Sequence, residues 1–208
     1  MIMLLSFTYT NNILRFCTCL RVLVLVLDKA LIIIDVLNEF VYGDIKGENP
    51  EKIIPNLKRL VETARQSNIP VIYCRDEHLP VDRELKIWGK HAMRGSREAE
   101  IIEELKPEEK DYVISKRTYS GFFETGLDSL LRDLGAKTLY VTGLYDDPCI
   151  RHTVADAYFR RYNIVVVKDS TNAFNSEEHE KELNYMRKMY GVEIKNTDEA
   201  IEDFRKSK

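Results

Sequence analysis

The sequence has few of the residues that would stabilise a fold from outside its own core. Its four cysteines, Cys17, Cys19, Cys74 and Cys149, form no C-x-x-C pair. Neither a disulfide framework nor a cysteine-based zinc ribbon is therefore indicated. The simpler setting is reduced and cytoplasmic, with each thiol either a core residue or a reactive one. Charge of one sign is scarce as well. A formal net charge of −3, with no basic stripe and no aromatic-rich nucleic-acid motif, excludes a polyanion-binding surface and hence a nucleic-acid partner. Long hydrophobic runs are missing too. The apolar stretch 22–27 is six residues long, bounded by Arg21 and Asp28, whereas a membrane span needs about 20. The segment is not built like a secretory signal, because Arg15 and Arg21 lie inside the apolar region and no small-residue end follows it. Residues 1–28 are expected to be an N-terminal extension, either foreign to the native domain or an added edge strand. Residues 29–208 are expected to form one domain.

From Lys29 onward, apolar β-branched runs alternate with amphipathic stretches. Residues 30–34 have the continuous apolar character of a strand buried on both faces, and 69–74, 112–115, 138–142 and 163–167 are expected to be the further strands. Between them, 53–66 carries Ile53, Leu57, Leu60, Val61 and Ala64 on one helical side. Helices are also expected over 127–134, closed by Gly135, over 149–161 and over 177–190, with a short last one from 197. The stretch from His78 to Ser96 is polar. This alternation predicts a three-layer α/β/α fold with a mostly parallel central sheet. Ligands in such sheets bind beyond the carboxyl ends of the strands. Asp35, Asp76, Lys116 and the loop before Cys149 all fall at such ends.

Cys149 follows a strand-to-helix turn and opens the expected helix, a place where free N–H groups favour a thiolate and could hold an oxyanion. A reactive thiol needs a base or a cation beside it; Asp35 suits the first role and Lys116 the second. Each residue also has a plainer explanation. Cys149 fits a buried core thiol, Asp35 a cap and Lys116 a solvated surface residue. Phe40, Trp88, Tyr119 and Phe122 are candidates to wall a pocket for a flat ring, Phe40 and Trp88 first, though aromatics at element ends are also ordinary core pieces. His152, one turn into the helix behind the thiol, is expected to pack or hydrogen-bond rather than act as base. His179 is expected to be solvated.

Taken together, these segments resemble the isochorismatase-like cysteine hydrolases, and within them the nicotinamidases. Asp35 with Phe40 is similar to the family's D-x-Q-x-x-F segment. Lys116 with Ser120-Gly121-Phe122 is similar to K-x-x-x-S-x-F. Thr142-Gly143 through Cys149-Ile150 to Thr153 is similar to T-G-x-x-x-x-x-C-V-x-x-T. The resemblance covers 30 to about 173. It implies Cys149 as nucleophile, Asp35 as general base, Lys116 as electrostatic support, a cis peptide at Leu144-Tyr145, and an oxyanion hole from the N–H groups of Tyr145 and Cys149.

Asp76-Glu77-His78 and, after Trp88-Gly89-Lys90, His91 also have the right chemistry for a divalent ion, although two histidines and an aspartate in a polar loop are often unremarkable. The nicotinamidases carry D-x-H and W-x-x-H at these places. The resemblance thus implies a divalent metal, zinc, on Asp76, His78 and His91, holding a pyridine nitrogen, and Glu84 lies where some of these enzymes have a fourth ligand. Leu37, Gly89, Ala92, Tyr145, Asp146 and Pro148 depart from the usual pattern.

The function implied is amidohydrolysis of a small amide, such as nicotinamide to nicotinate and ammonia, through a thioester, by a cytoplasmic homo-oligomer without membrane attachment. Another small amide or carbamoyl compound, or a non-catalytic binding member of the fold, stays open as an alternative. A haloacid-dehalogenase-type phosphatase is excluded, because Leu37 stands where its second acidic residue is required.

Overall fold

The computed structural model describes residues 28–206. The expected N-terminal extension, with Cys17 and Cys19, lies outside the described residues. Six strands form one sheet: β1 (Lys29–Ile34), β2 (Val71–Asp76), β3 (Tyr112–Lys116), β4 (Thr138–Leu144), β5 (Asn163–Asn172) and β6 (Glu193–Lys195). Their order is β3-β2-β1-β4-β5-β6, and every neighbouring pair is parallel. Parallel pairing needs a crossover between strands. α2 (Ile54–Gln66) links β1 to β2, α4 (Leu127–Asp133) precedes β4, α5 (Arg151–Phe159) links β4 to β5 and α6 (Ser176–Tyr190) links β5 to β6. α1 (Asn38–Tyr42) follows β1, α3 (Leu85–Trp88) lies after β2, and α7 (Thr197–Arg205) ends the chain.

The two-residue side-chain period of a strand divides the core into two layers. Leu31, Ile33, Tyr73, Tyr140 and Val165 pack with Leu57, Leu60 and Val61 of α2 and Ile201 and Phe204 of α7. Ile32, Ile34, Ile72, Leu139 and Val166 pack with Leu131 of α4, Val154 of α5 and Leu183 of α6. The apolar run 30–34 has no polar alternation because each side chain meets one of these layers. The expected three-layer α/β/α arrangement is observed, with a wholly parallel sheet.

Several elements differ from the sequence expectation, among them the short α1 and α3, which it did not include. β5 continues to Asn172, five residues past the apolar run, where Gly143 and Leu144 of β4 pair with Thr171 and Asn172; ladder hydrogen bonds hold polar residues that hydropathy leaves out. β6 was not expected, because three residues carry too little pattern. The helix expected from Cys149 begins two residues later, at Arg151. Asp146–Ile150 instead forms a π-type turn in which Asp147 is extended (φ −121°, ψ 126°), since the residue before a proline avoids the helical region.

The chain moves outward from β1 through β2 to β3, then returns to place β4 on the other side of β1. A crevice opens where strand order reverses in this way. There β1 and β4 are in unusually close contact. Gly143 pairs with Ile34 at φ +111°, and a Cβ on it would lie 2.0 Å from the Ile34 carbonyl oxygen. Only glycine has both the conformation and the room. Gly143→Ala is expected to lose roughly 3 kcal/mol or more of stability, read as a lower urea midpoint; an unchanged midpoint would contradict the close approach.

Candidate active site

Asp35 follows β1 in the left-handed region, at φ +52°. This is an uncommon conformation for a residue with a side chain, and it redirects the carboxylate from the sheet into the crevice. The backbone N–H of Asp76 donates to Asp35 Oδ1 at 2.8 Å, so the ends of β1 and β2 are joined through this side chain. Lys116, the last residue of β3, lies across β2 from it. Its ammonium is 2.7 Å from Asp35 Oδ2 and 2.7 Å from Asp76 Oδ1, with all three side chains buried. Lys116 Nζ is also 3.7 Å from Cys149 Sγ, and the Cys149 sulfur lies within 4.8 Å of an Asp35 carboxylate oxygen. Asp35, Lys116 and Cys149, singled out from the sequence, are therefore in mutual contact.

Burial governs the proton positions. It pushes the Asp35 carboxyl up to about 7, with the nearby Asp76 charge adding to the rise and Lys116 opposing it. Burial also raises the Cys149 thiol well above its usual range, more than Lys116 lowers it. For Lys116, burial alone would favour the neutral amine, but Asp35 and Asp76 outweigh it and the group stays charged. Burial likewise acts against an ionised Asp76, and Lys116 and His78 reverse that, leaving it below the usual carboxylate range. The resting site thus holds a protonated thiol beside a carboxylate able to accept its proton.

The segment from Leu144 to Cys149 is fixed from several directions. Leu144-Tyr145 is cis, as the resemblance implies, and Asp147-Pro148 is cis as well. The Tyr145 hydroxyl donates to the Phe40 carbonyl at 2.6 Å and accepts from the Gly47 N–H at 2.8 Å. On the other side the buried Asp146 carboxylate pairs with His179 of α6. This corrects the expectation that His179 is solvated: a charged helix turned one residue inward to match a buried carboxylate. Thr153 of α5 accepts from the Gly121 N–H at 2.9 Å, which ties the segment after Lys116 to the helix after Cys149. His152 donates through Nδ1 to the Pro148 carbonyl at 2.7 Å and packs on Tyr119, the packing and hydrogen-bonding role expected.

A cleft opens above these groups. Phe40, Trp88 and Tyr119 line it, as the sequence suggested, together with Tyr145, Pro148 and Phe174. Phe174 stacks on Tyr145 (centroids 4.4 Å apart, planes at 25°) and on Trp88 (5.9 Å, 13°), and Trp88 Nε1 donates to the Tyr119 hydroxyl at 3.1 Å. Phe122 does not line the cleft; it packs against Tyr162 in the lower core layer, under the Arg160 guanidinium. Phe174 was missed in the sequence. It follows a strand end, the only local signal it carries, and lies far along the chain from the other aromatics.

Asp76, His78, Glu84 and His91 offer ligand atoms that all lie within 4.8 Å of one another, each residue buried. Pairing of the His78 segment with Ala92 and Met93 brings the two imidazoles together, centroids 4.5 Å apart. The Gly89 carbonyl accepts a hydrogen bond from His91 Nδ1 at 2.9 Å. A carbonyl cannot donate, so Nδ1 carries the proton and Nε2 keeps its lone pair. His78 Nε2 and Glu84 Oε1 are buried without a hydrogen-bond partner among the described residues. Two imidazoles, two carboxylates and orphaned buried acceptors fit a divalent cation better than they fit a hydrogen-bonded core. Glu84, the weakest member in the sequence, belongs to the group on geometry.

A family model described as the isochorismatase domain matches residues 29–199. An uncharacterised isochorismatase family protein of Bacillus subtilis is 33% identical over 84% of this chain and 97% of its own length. N-carbamoylsarcosine amidase from Thermoplasma acidophilum is 39% identical, with a TM-score of 0.78 over 82% of this chain and 97% of the other. Pyrazinamidase of Pyrococcus horikoshii in complex with zinc is 26% identical, with a TM-score of 0.76 over 81% and 99% of the two chains. Among the described residues, no helix is long and apolar enough to cross a membrane.

The buried ammonium makes a direct prediction. Lys116→Met leaves two carboxylates facing each other out of water, so the metal-free protein should lose about 3–5 kcal/mol of stability at neutral pH. Chemical denaturation of the chelator-treated variant measures it, and a loss within error of zero would contradict the ion triad.

Proposed function

We propose that this chain, which belongs to the isochorismatase family of hydrolases, is a cysteine-dependent amidohydrolase of small, neutral, flat amides of the nicotinamide type. The observation that carries this is the lining of the cleft. Asp35, Asp76 and Glu84 face it along with five aromatic rings, and among the described lining residues there is no arginine or lysine. The nearest cation, Lys116, is buried beneath the cleft and neutralised by two carboxylates. A substrate carboxylate would find no arginine or lysine side chain to pair with, the proposed cation being engaged by a ring nitrogen, whereas a neutral ring would stack between aromatic walls.

In the proposed reaction Asp35 takes the Cys149 proton, and Lys116 stabilises the thiolate as it forms. The sulfur attacks the amide carbonyl carbon, and the N–H groups of Tyr145 and Cys149 receive the developing oxyanion. The C–N bond breaks as Asp35 returns its proton to the leaving nitrogen, releasing ammonia and a thioester. Water then gives a proton to Asp35 and attacks the thioester. The acid departs, and the proton returns to sulfur. Asp76, His78, Glu84 and His91 would hold a divalent cation such as zinc. When bound there, the ion supplies a Lewis-acid anchor for a ring nitrogen. Phe40, Trp88 and Tyr119, with Phe174, orient the ring so that the carboxamide reaches the sulfur.

The identity to N-carbamoylsarcosine amidase supports a second reading, a carbamoyl compound as substrate. The two differ in the charge the substrate brings. Ammonia release is expected from pyridine and pyrazine carboxamides with kcat/KM at least tenfold above that for amides bearing a carboxylate, N-carbamoylsarcosine included. The reverse order would assign the cleft to the second reading. Cys149→Ala is expected to abolish turnover while the fold and metal uptake persist, and residual turnover above background would remove the thioester route.

A further inference from the structure

Asp82 lies outside the cleft, in the loop between His78 and α3, and its side chain is almost wholly buried. Every polar group that it meets is a donor. Its Oδ2 accepts from the Leu79 N–H at 2.8 Å and lies 3.3 Å from His78 Nδ1. Arg117 approaches through Nε, 3.0 Å from Oδ1, and through its terminal nitrogen. Arg117 directly follows Lys116 at the end of β3. Lys116 points to Asp35 and Asp76, and Arg117 reaches to Asp82, so one strand end grips both the nucleophile site and the histidine loop.

We infer that Asp82, held by Arg117, is the positioning residue that makes His78 a metal ligand. Of the three carboxylates around the ring, Asp82 is the one within hydrogen-bond reach, at Nδ1, and a carboxylate accepts, so this contact favours the tautomer with the proton on Nδ1 and the lone pair on Nε2. Nε2 is the buried atom with no hydrogen-bond partner among the described residues, 3.7 Å from Asp76 Oδ2 and 3.9 Å from Glu84 Oε2. With the other tautomer the ring would present an N–H to these carboxylates, and the group could not close on a cation. Arg117 places its guanidinium against the Asp82 carboxylate through Nε and a terminal nitrogen, which fixes that acceptor beside His78. The inference rests on the metal assignment made above and adds a residue that assignment does not contain.

The test is metal affinity, measured without substrate. Chelator-treated native protein and Asp82→Ala are titrated with Co²⁺, followed by its visible absorption, and with Zn²⁺ against a chromophoric chelator. The expected outcome is Zn²⁺ binding weaker by about 10- to 100-fold in the variant, with an altered Co²⁺ spectrum. A paired variant, Asp82→Asn with Arg117→Gln, turns an amide oxygen to His78 and its NH2 to the glutamine carbonyl. It restores the acceptor without the charges and is expected to recover most of the affinity. If Asp82→Ala fails to fold, the paired variant decides alone. Native-like affinity and spectrum in Asp82→Ala, or loss of binding in a folded paired variant, would overturn the role of Asp82. Failure of the native chain to take up either ion would overturn the metal assignment itself, a separate outcome.

Discussion

The architecture of the site depends on one buried ammonium. Lys116 Nζ lies 2.7 Å from a carboxylate at the end of β1 and 2.7 Å from another at the end of β2. Without that cation, Asp35 and Asp76 would face each other unscreened inside a low-dielectric crevice, and one of them would have to take up a proton. With it, Asp76 is held below the usual carboxylate range, as the proposed cation site requires, while burial raises Asp35 towards neutrality. The proposed acid–base chemistry and the proposed cation site are thus two consequences of the same ion triad. β1 and β2 must be parallel neighbours for it to form, with β3 on the far side of β2, and the sheet order provides that.

The walls of the cleft are aromatic, and no arginine or lysine is among its described lining residues. Two of the three departures from the family pattern in the lead into Cys149, Tyr145 and Asp146, have structural roles. Tyr145 ties the Phe40 carbonyl and Gly47 to the turn and provides a face for Phe174 to stack on. Asp146 anchors the other side of the turn to α6 through His179. Side chains foreign to the usual motif therefore rigidify the turn rather than disrupt it, and Tyr145 narrows the slot in doing so.

The legible parts of the fold were those with a local physical signature. Apolar β-branched runs marked β1, β2 and β4 because each is covered on both faces. Asp35, Asp76 and Lys116 stood out as polar residues ending such runs, and the geometry brings them together. Cys149 was found at the right place by a partly wrong route, since the expected helix N-terminus is a π-type turn shaped by Asp147-Pro148. Phe174, Asp82 and His179 were not legible. Nothing in their neighbourhoods distinguishes an aromatic after a strand from a core filler, an aspartate in a polar loop from a solvated one, or a histidine in a charged helix from its neighbours.

By itself the sequence determined the layered α/β fold, the family and the chemical types at the strand ends, because periodicity and residue type are local properties. Tertiary structure alone decided which acids share a cation, which imidazole nitrogen is left without a partner, and which rings line one slot. Many of those are relations between segments distant in the chain, such as Lys116 and Asp76 at a separation of 40 residues or Tyr145 and Phe40 at 105. They come into being only when the strand order reverses at β1 and β4 and water is excluded from what meets there.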